Sequence, residues 1–429
     1  MWREFRADCL KTGNLPIRAS ENFQQKWGRE LDSNTVIDEP VIGIEGEIIA
    51  TISDGTVIAL DANGNLLWTI KTLQDARGPA IAEDGTIIVP QIGRVNAISP
   101  KGKIVWTHDI NGRPTPASIQ QNSQVIAIGA YSFDWFGTYL MDSDGHRIYD
   151  APVKSPFNFE CHGKGAQISP PALSTNSPNI YVAARTFNTQ TWREEDGPEP
   201  EHHYEGFALN NDGKVFWQEK SSTLSLWGEC GVSVSPFPRD PALETVLFLL
   251  DHAIYMYHQE NNTFTSILKT FDLFGEDVPE SAALEEMVPF QSDLSIMDNP
   301  AYDPKEGSFI YRVARKVEQA STDETKFPPP EMQALPCVIN VNWLNQSQGK
   351  KPFTVDLWYL PYTSAPVTDK VGNIFLGIPG GIGIITPDGD KNEISLTSPR
   401  DPVEKLILRS EDSLICVTES GKLIFAEKQ

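Results

Sequence analysis

From Thr56 to Asp61 the side chains alternate between apolar and polar, the turn-forming run Ala62-Asn63-Gly64 follows, and a β pattern resumes from Leu66 to Ile70. A period of two on either side of a glycine turn predicts a hairpin. The pattern then repeats. Gly55-Thr-Val-Ile-Ala-Leu-Asp-Ala-Asn-Gly64-Asn-Leu-Leu-Trp68 is matched by Gly93-Arg-Val-Asn-Ala-Ile-Ser-Pro-Lys-Gly102-Lys-Ile-Val-Trp106 at both glycines, at the apolar positions and at the tryptophan. Looser copies begin at Gly137, Gly206 and Gly381. Self-similarity of this kind fixes the architecture before anything else is read, because each unit can bury its faces only against its neighbours.

Another strand pair precedes each hairpin, as in Pro40-Val-Ile-Gly43 followed by Gly46-Glu-Ile-Ile-Ala-Thr-Ile52, so the full unit has four strands. A proline near the start of the first strand marks the units independently, at Pro40, Pro79, Pro116, Pro171, Pro236, Pro300, Pro366 and, less cleanly, Pro402. Four-stranded sheets repeated at roughly 40 residues pack face to face and close radially. The expected fold is therefore all-β, an eight-bladed β-propeller of four-stranded antiparallel blades in a single domain, 1–429. The blades fall at about 35–72, 75–110, 112–152, 160–220, 226–272, 292–357, 360–396 and 400–429 plus 23–31. The last assignment follows from the two ends of the chain. After Gly421-Lys-Leu-Ile-Phe-Ala426 the sequence stops where a tryptophan-bearing strand should begin, and Gln24-Gln-Lys-Trp27-Gly-Arg-Glu-Leu31 has the missing shape. An N-terminal strand thus completes the last blade. The best helix candidate, Pro279 to Met287, lies in a connection between blades.

Over residues 35–110 and 360–429 these units resemble the PQQ-like repeat family, which includes the quinoprotein alcohol dehydrogenases and the outer-membrane assembly propeller lipoproteins. The opening Trp2-Arg-Glu-Phe-Arg-Ala-Asp-Cys-Leu-Lys-Thr-Gly13 also looks like one common in such propellers. The resemblance implies a scaffold and no particular activity. The dehydrogenases of that family hold their quinone against two adjacent disulfide-linked cysteines and use an acidic residue with bound calcium. No two cysteines are adjacent here and no matching calcium-ligand set can be placed, so neither PQQ nor any other cofactor or metal is expected. The lipoproteins need a lipidated amino-terminal cysteine, and Cys9 stands in a polar context.

A net charge of −23 sets up a field that repels nucleic acid and anionic membrane surfaces. Five widely spaced cysteines, an odd number, point to a reducing compartment. Met1 to Leu15 carries charges throughout and lacks the apolar stretch of a signal peptide, so a cytoplasmic location without membrane insertion is expected.

Two features bear on function. Extra residues fall at Ser132 to Phe136, Phe187 to Tyr204 and Val317 to Pro336, between second and third strands, and at Leu273 to Asp293, ahead of a first strand. In a propeller these connections share one face, so a protein partner or small-molecule ligand is expected there. The residues just ahead of the marker prolines enter the central funnel on that face and are polar: Asp38, Glu39, Arg77, Arg113, Glu160 with Cys161, His162 and Lys164, then Trp227, Glu229, Cys230, Asp298, Tyr362, Glu404 and Lys405. Arg77 and Arg113 suit an anionic group. His162 with Glu229 and Asp298 in neighbouring blades could serve acid and base chemistry. Cys161 and Cys230 are candidates to flank a site or to act as small buried apolar groups. Adjacent His202 and His203 point to opposite sides of a strand and do not share a metal. Two readings result: a binding propeller with a decorated face and a polar funnel, or a redox-cofactor-independent enzyme working through His162, Glu229 and Asp298.

Overall fold

A computed structural model describes residues 2–4, 6–8, 11, 13–31, 36–73, 75–120, 125–146, 148, 159–162, 164–187, 202–210, 213–223, 229–237, 240–251, 253–260, 263–269, 294–296, 301–303, 308–315, 337–342 and 363–429. The candidate helix at Pro279 to Met287 lies outside them, as do 188–201, Val317 to Pro336 and Leu273 to Asp293 of the insertions. Among the described residues every regular element is a strand, and the strands group into eight sheets. No helix there is long and apolar enough to cross a membrane.

The first unit shows why the sequence folds this way. Val36–Ile42, Ile48–Ile52, Thr56–Leu60 and Leu66–Lys71 pair in chain order as one antiparallel sheet. Ile48–Ile52 is buried along its whole length and Thr56–Leu60 nearly so, whereas Leu66–Lys71 alternates between exposed and half-buried. A strand buried on both faces needs neighbours on both sides, and an alternating strand belongs at a rim. The apolar clusters accordingly straddle adjacent sheets. Val41, Ile49 and Val57 pack with Ile81, Ile87 and Val89 of the second unit, whose Ala80, Ile88 and Val95 pack in turn with Ile119, Ile126 and Ile128 of the third.

A recurring joint links the units. The indole N–H of Trp68, on the fourth strand of the first unit, donates to the carbonyl oxygen of Pro100 in the second unit at 2.9 Å, and that of Trp106 donates to Ser143 of the third at 2.9 Å. Beneath each indole lies the glycine of the neighbour's turn. A Cβ on Gly102 would stand 2.7 Å from the Trp68 ring, and one on Gly145 would stand 2.7 Å from Trp106. Both glycines also have positive φ, +73° and +78°. The repeated Gly and Trp thus form the two halves of one contact between consecutive units.

The two ends of the chain meet as expected. Phe23–Arg29 pairs antiparallel with Leu423–Lys428, placing it in one sheet with Val403–Ser410 and Ser413–Thr418. Trp27 on this strand stacks on Phe425, with ring centroids 5.5 Å apart, and its indole N–H reaches the Ala62 carbonyl oxygen of the first unit at 2.9 Å. Gly64 lies under that indole as Gly102 lies under Trp68. The sheet made from both termini therefore docks on the first unit by the joint that links the first to the second.

One stretch departs from the expected insertion. Tyr131 and Phe136 pair across Val125–Tyr131 and Trp135–Met141, and the Ser132 N–H donates to the Trp135 carbonyl oxygen at 2.8 Å, so Ser132 to Phe136 is a tight hairpin end. The extra residues lengthen the strands. Phe136 joins the core beside Phe207 with centroids 5.8 Å apart, while Phe133 stays exposed.

The Trp68 joint can be weighed by comparing two glycines. Gly93 has φ +85° with nothing within 4 Å of a Cβ, while Gly102 has a similar φ and the indole on top of it. Gly93→Ala should cost about 1–2 kcal/mol for the left-handed backbone alone. Gly102→Ala should cost about 1–3 kcal/mol more for overpacking, measured by equilibrium denaturation of both variants.

Candidate functional site

The axis on which the first strands converge is filled by the chain's own amino terminus. The Ile42 N–H donates to the Trp2 carbonyl oxygen at 2.6 Å and the Ile81 N–H to that of Arg3 at 2.8 Å. The Ile119 N–H donates to Glu4 Oε1 at 3.0 Å, and the Ser233 hydroxyl donates to the Lys11 carbonyl oxygen at 2.8 Å. Arg6 Nη2 donates to the Pro366 carbonyl oxygen at 2.7 Å, and the Thr368 N–H to that of Gly13 at 3.0 Å. Asn14–Leu15 then adds parallel to Val367–Asp369. One short segment thus contacts the first strands of five sheets, satisfying groups on inner edges that would otherwise be buried and unpaired.

Its charges are buried as pairs. Lys11 Nζ lies 3.1 Å from Glu4 Oε2, and Arg6 Nη1 lies 3.6 Å from Glu39 Oε1, with all four side chains less than a tenth exposed. Glu39 Oε2 also accepts from the Trp2 indole at 3.2 Å and from the Arg6 backbone N–H at 2.8 Å. Burial, the largest influence, pushes both carboxyls up from their ordinary value, with Lys11 beside Glu4 and Arg6 beside Glu39 pulling back. Gly13 has to be glycine, since a Cβ would stand 2.2 Å from Arg6 Nη2. Arg6, Ala7 and Lys11 all take positive φ, which costs about 1–2 kcal/mol per residue and is offset by these bonds.

The residues singled out from the sequence fall into three groups. The first is paired internally: Glu39 to the amino-terminal segment, Lys405 to Glu404 at 3.7 Å, and Asp38 to Arg77 Nη2 at 3.0 Å with a second bond from the Gly78 N–H at 2.7 Å. A second group is described by backbone alone. Cys161 and His162 lie on Phe159–His162, the last strand of the third sheet, with His162 opposite Trp135. The sequence reading had them open the fourth blade. Phe159–His162 pairs with Trp135–Met141 as the outer strand of the third sheet. Lys164 does open the fourth sheet, opposite Phe187. Glu229 and Cys230 begin Glu229–Phe237, opposite Asp251 and Leu250. The third group, Trp227, Asp298 and Tyr362, lies outside the described residues.

Arg77 and Arg113 do come together. With Ser53, Asp75, Ile92 and Tyr131 they line a cleft of about 120 Å³ where the first three units meet, on the face carrying the second-to-third-strand connections. Arg77 gives one nitrogen to Asp38, but its Nε is buried and has no acceptor. Arg113 is exposed on the strand paired with Tyr131. A buried donor without an acceptor costs about 1–3 kcal/mol, and a second guanidinium beside it makes the cleft suited to an anionic acceptor from outside. Sequence reasoning found the two arginines through their places ahead of the prolines. It missed Ser53, Asp75 and Tyr131, which no spacing rule connects. Among the described residues no group of three or more His, Cys, Asp or Glu is placed to hold a metal.

Four-stranded units joined through tryptophan and glycine have the architecture of a β-propeller. The model of the family described as outer membrane protein assembly factor BamB matches residues 21–132. Among solved structures, the chain is similar to quinohemoprotein alcohol dehydrogenase from Comamonas testosteroni, with a TM-score of 0.61 and 13% identity over 99% of this chain and 80% of that one. It is also similar to BamB from Moraxella catarrhalis, with a TM-score of 0.55 and 14% identity over 94% of this chain and 99% of that one. At such identities the likeness is one of fold. No curated protein matches the chain.

Two measurements test the amino-terminal ion pairs. Lys11→Met leaves Glu4 buried without its partner and should cost about 3–5 kcal/mol in denaturant unfolding, while the double variant Glu4→Gln/Lys11→Met should recover a large part of that loss. Glu39→Gln mimics the protonated carboxyl. Because folding raises the Glu39 pKa above the ordinary 4.5, the parent chain loses stability as pH climbs from that value through the raised one. The stability of Glu39→Gln relative to the parent should therefore improve with rising pH over that window and then level off.

Proposed function

We propose that this chain is a binding propeller, eight-bladed and closed by the strand Phe23–Arg29, that receives a protein or small-molecule ligand on the face carrying its long connections. The Arg77 and Arg113 cleft anchors an anionic group of that ligand. The observation that carries this reading is the contrast between the two arginines and the charges around them. Asp38, Glu39, Glu404 and Lys405 are engaged by other groups of the chain, whereas Arg77 keeps a buried donor without an acceptor next to Arg113. The matching family is that of an assembly factor, which favours a protein that presents an acidic residue or terminal carboxylate as the partner. The net charge of −23 disfavours nucleic acid and anionic lipid. The cysteine pattern adds a reducing, cytoplasmic setting to the proposal, and Cys416, buried with its thiol pushed up by burial, fits an unreactive apolar role.

Isothermal titration of the full chain with succinate and with inorganic phosphate tests the cleft. Arg113→Ala should weaken binding at least about tenfold, the worth of one charge-assisted hydrogen bond, and His162→Ala should leave it unchanged. Equal titration of the parent and Arg113→Ala, or loss on His162→Ala alone, would contradict the proposal.

A further inference from the structure

The opposite face holds a second groove, at the turns between first and second strands. The turns between first and second strands in units one and two share one hydrogen-bond frame: Gly43 and Gly46 bond to Glu47 and Gly43 as Ala82 and Gly85 bond to Thr86 and Ala82. Within that frame Ile44 corresponds to Glu83. Ile44 closes over the seam between the first two units, its Cδ1 and the Pro100 Cγ lying 2.7 and 2.9 Å from where a Cβ on Gly85 would stand. At the next seam Glu83 replaces the isoleucine, and Asp144 occupies the place that Lys101 has in the second unit. There a groove of about 150 Å³ stays open between the second and third units, lined by apolar Ile88, Val105, Trp106, Ile119 and Ile126 and bordered by Glu83 and Asp144. A dry space of that size holds one benzene-sized apolar group.

The borders carry unspent charge. Asp84 spends its carboxylate on the Thr86 N–H and hydroxyl, both at 2.9 Å, but Glu83 and Asp144 meet no cation among the described residues. Val105 is 61% exposed, and its strand, Ile104–Asp109, is the outer edge of its sheet. Apolar contact surface, two carboxylates with no cation among the described residues and an open strand edge specify a partner of opposite charge with an apolar anchor. A second copy of this chain, at −23, is repelled.

We propose that this groove docks an extended, basic segment of a partner protein, one apolar side chain entering against Trp106 and Val105 while flanking Lys or Arg residues meet Glu83 and Asp144. Alternation of this kind along an extended chain supplies both contacts at once. The site is separate from the arginine cleft and does not depend on it.

The test is fluorescence anisotropy of the full chain with a short labelled peptide that alternates lysine with isoleucine, against a lysine–serine peptide of equal length and charge. The lysine–isoleucine peptide should bind more tightly, and both Glu83→Ile, which copies the closed seam, and Asp144→Lys should weaken it at least about tenfold while the melting temperature holds. Arg113→Ala should leave the affinity unchanged. Ile44→Glu with Lys101→Asp should open the first seam and raise the stoichiometry. Equal binding of the two peptides would mean attraction to net charge alone and would overturn the proposal. So would unchanged affinity in Glu83→Ile and Asp144→Lys, or no binding by the parent chain.

Discussion

Sheets that stack side by side bring the unpaired edges of their first strands together, and buried backbone groups need partners. In this chain the amino terminus supplies them. Trp2, Arg3, Glu4, Arg6, Lys11 and Gly13 bond to first strands in five sheets, and the segment buries two ion pairs and accepts left-handed backbone at Arg6, Ala7 and Lys11. Most of the rest follows from that occupancy. Glu39 becomes an internal partner of Trp2 and Arg6, while Arg77 and Arg113 line a cleft where the first three units meet.

The units are held to each other by apolar seams and by an indole laid over a glycine. This joint links the first unit to the second through Trp68 and Gly102, and through Trp27 and Gly64 it docks on the first unit the sheet that pairs Phe23–Arg29 with Leu423–Lys428. Small differences within a shared frame then decide what each seam exposes. Ile44 packs over Gly85 at one, and Glu83 borders a groove at the next. Function in a repeat scaffold arises through such departures, because the scaffold itself is common to all its units.

How much of this was legible follows from the range of each interaction. The hairpins, the glycines, the tryptophans and the missing last strand are local patterns and were readable from Gly55–Trp68, Gly93–Trp106 and Gln24–Leu31. The opening Trp2 to Gly13 stood out as a motif, yet nothing within it says that Glu39, Pro366 and Thr368 are its partners, because those contacts exist only once the sheets are assembled. Arg77, Arg113 and Asp38 stand out by their place ahead of the prolines, while nothing local shows that Asp38 pairs with Arg77. His162 sits on the third unit's outer strand because Phe159–His162 pairs with Trp135–Met141, a long-range pairing that no local pattern reveals.

Native-state hydrogen exchange tests the central claim, that the amino-terminal segment is an integral part of the fold. The amides of Arg6, Ala7 and Lys11, together with those of Ile42 and Ile81 that bond to the segment, should exchange in the slowest class, opening only with global unfolding. Exchange of these amides at the rate of a fraying terminus, while the strands Ile48–Ile52 and Ile87–Gln91 stay protected, would contradict it.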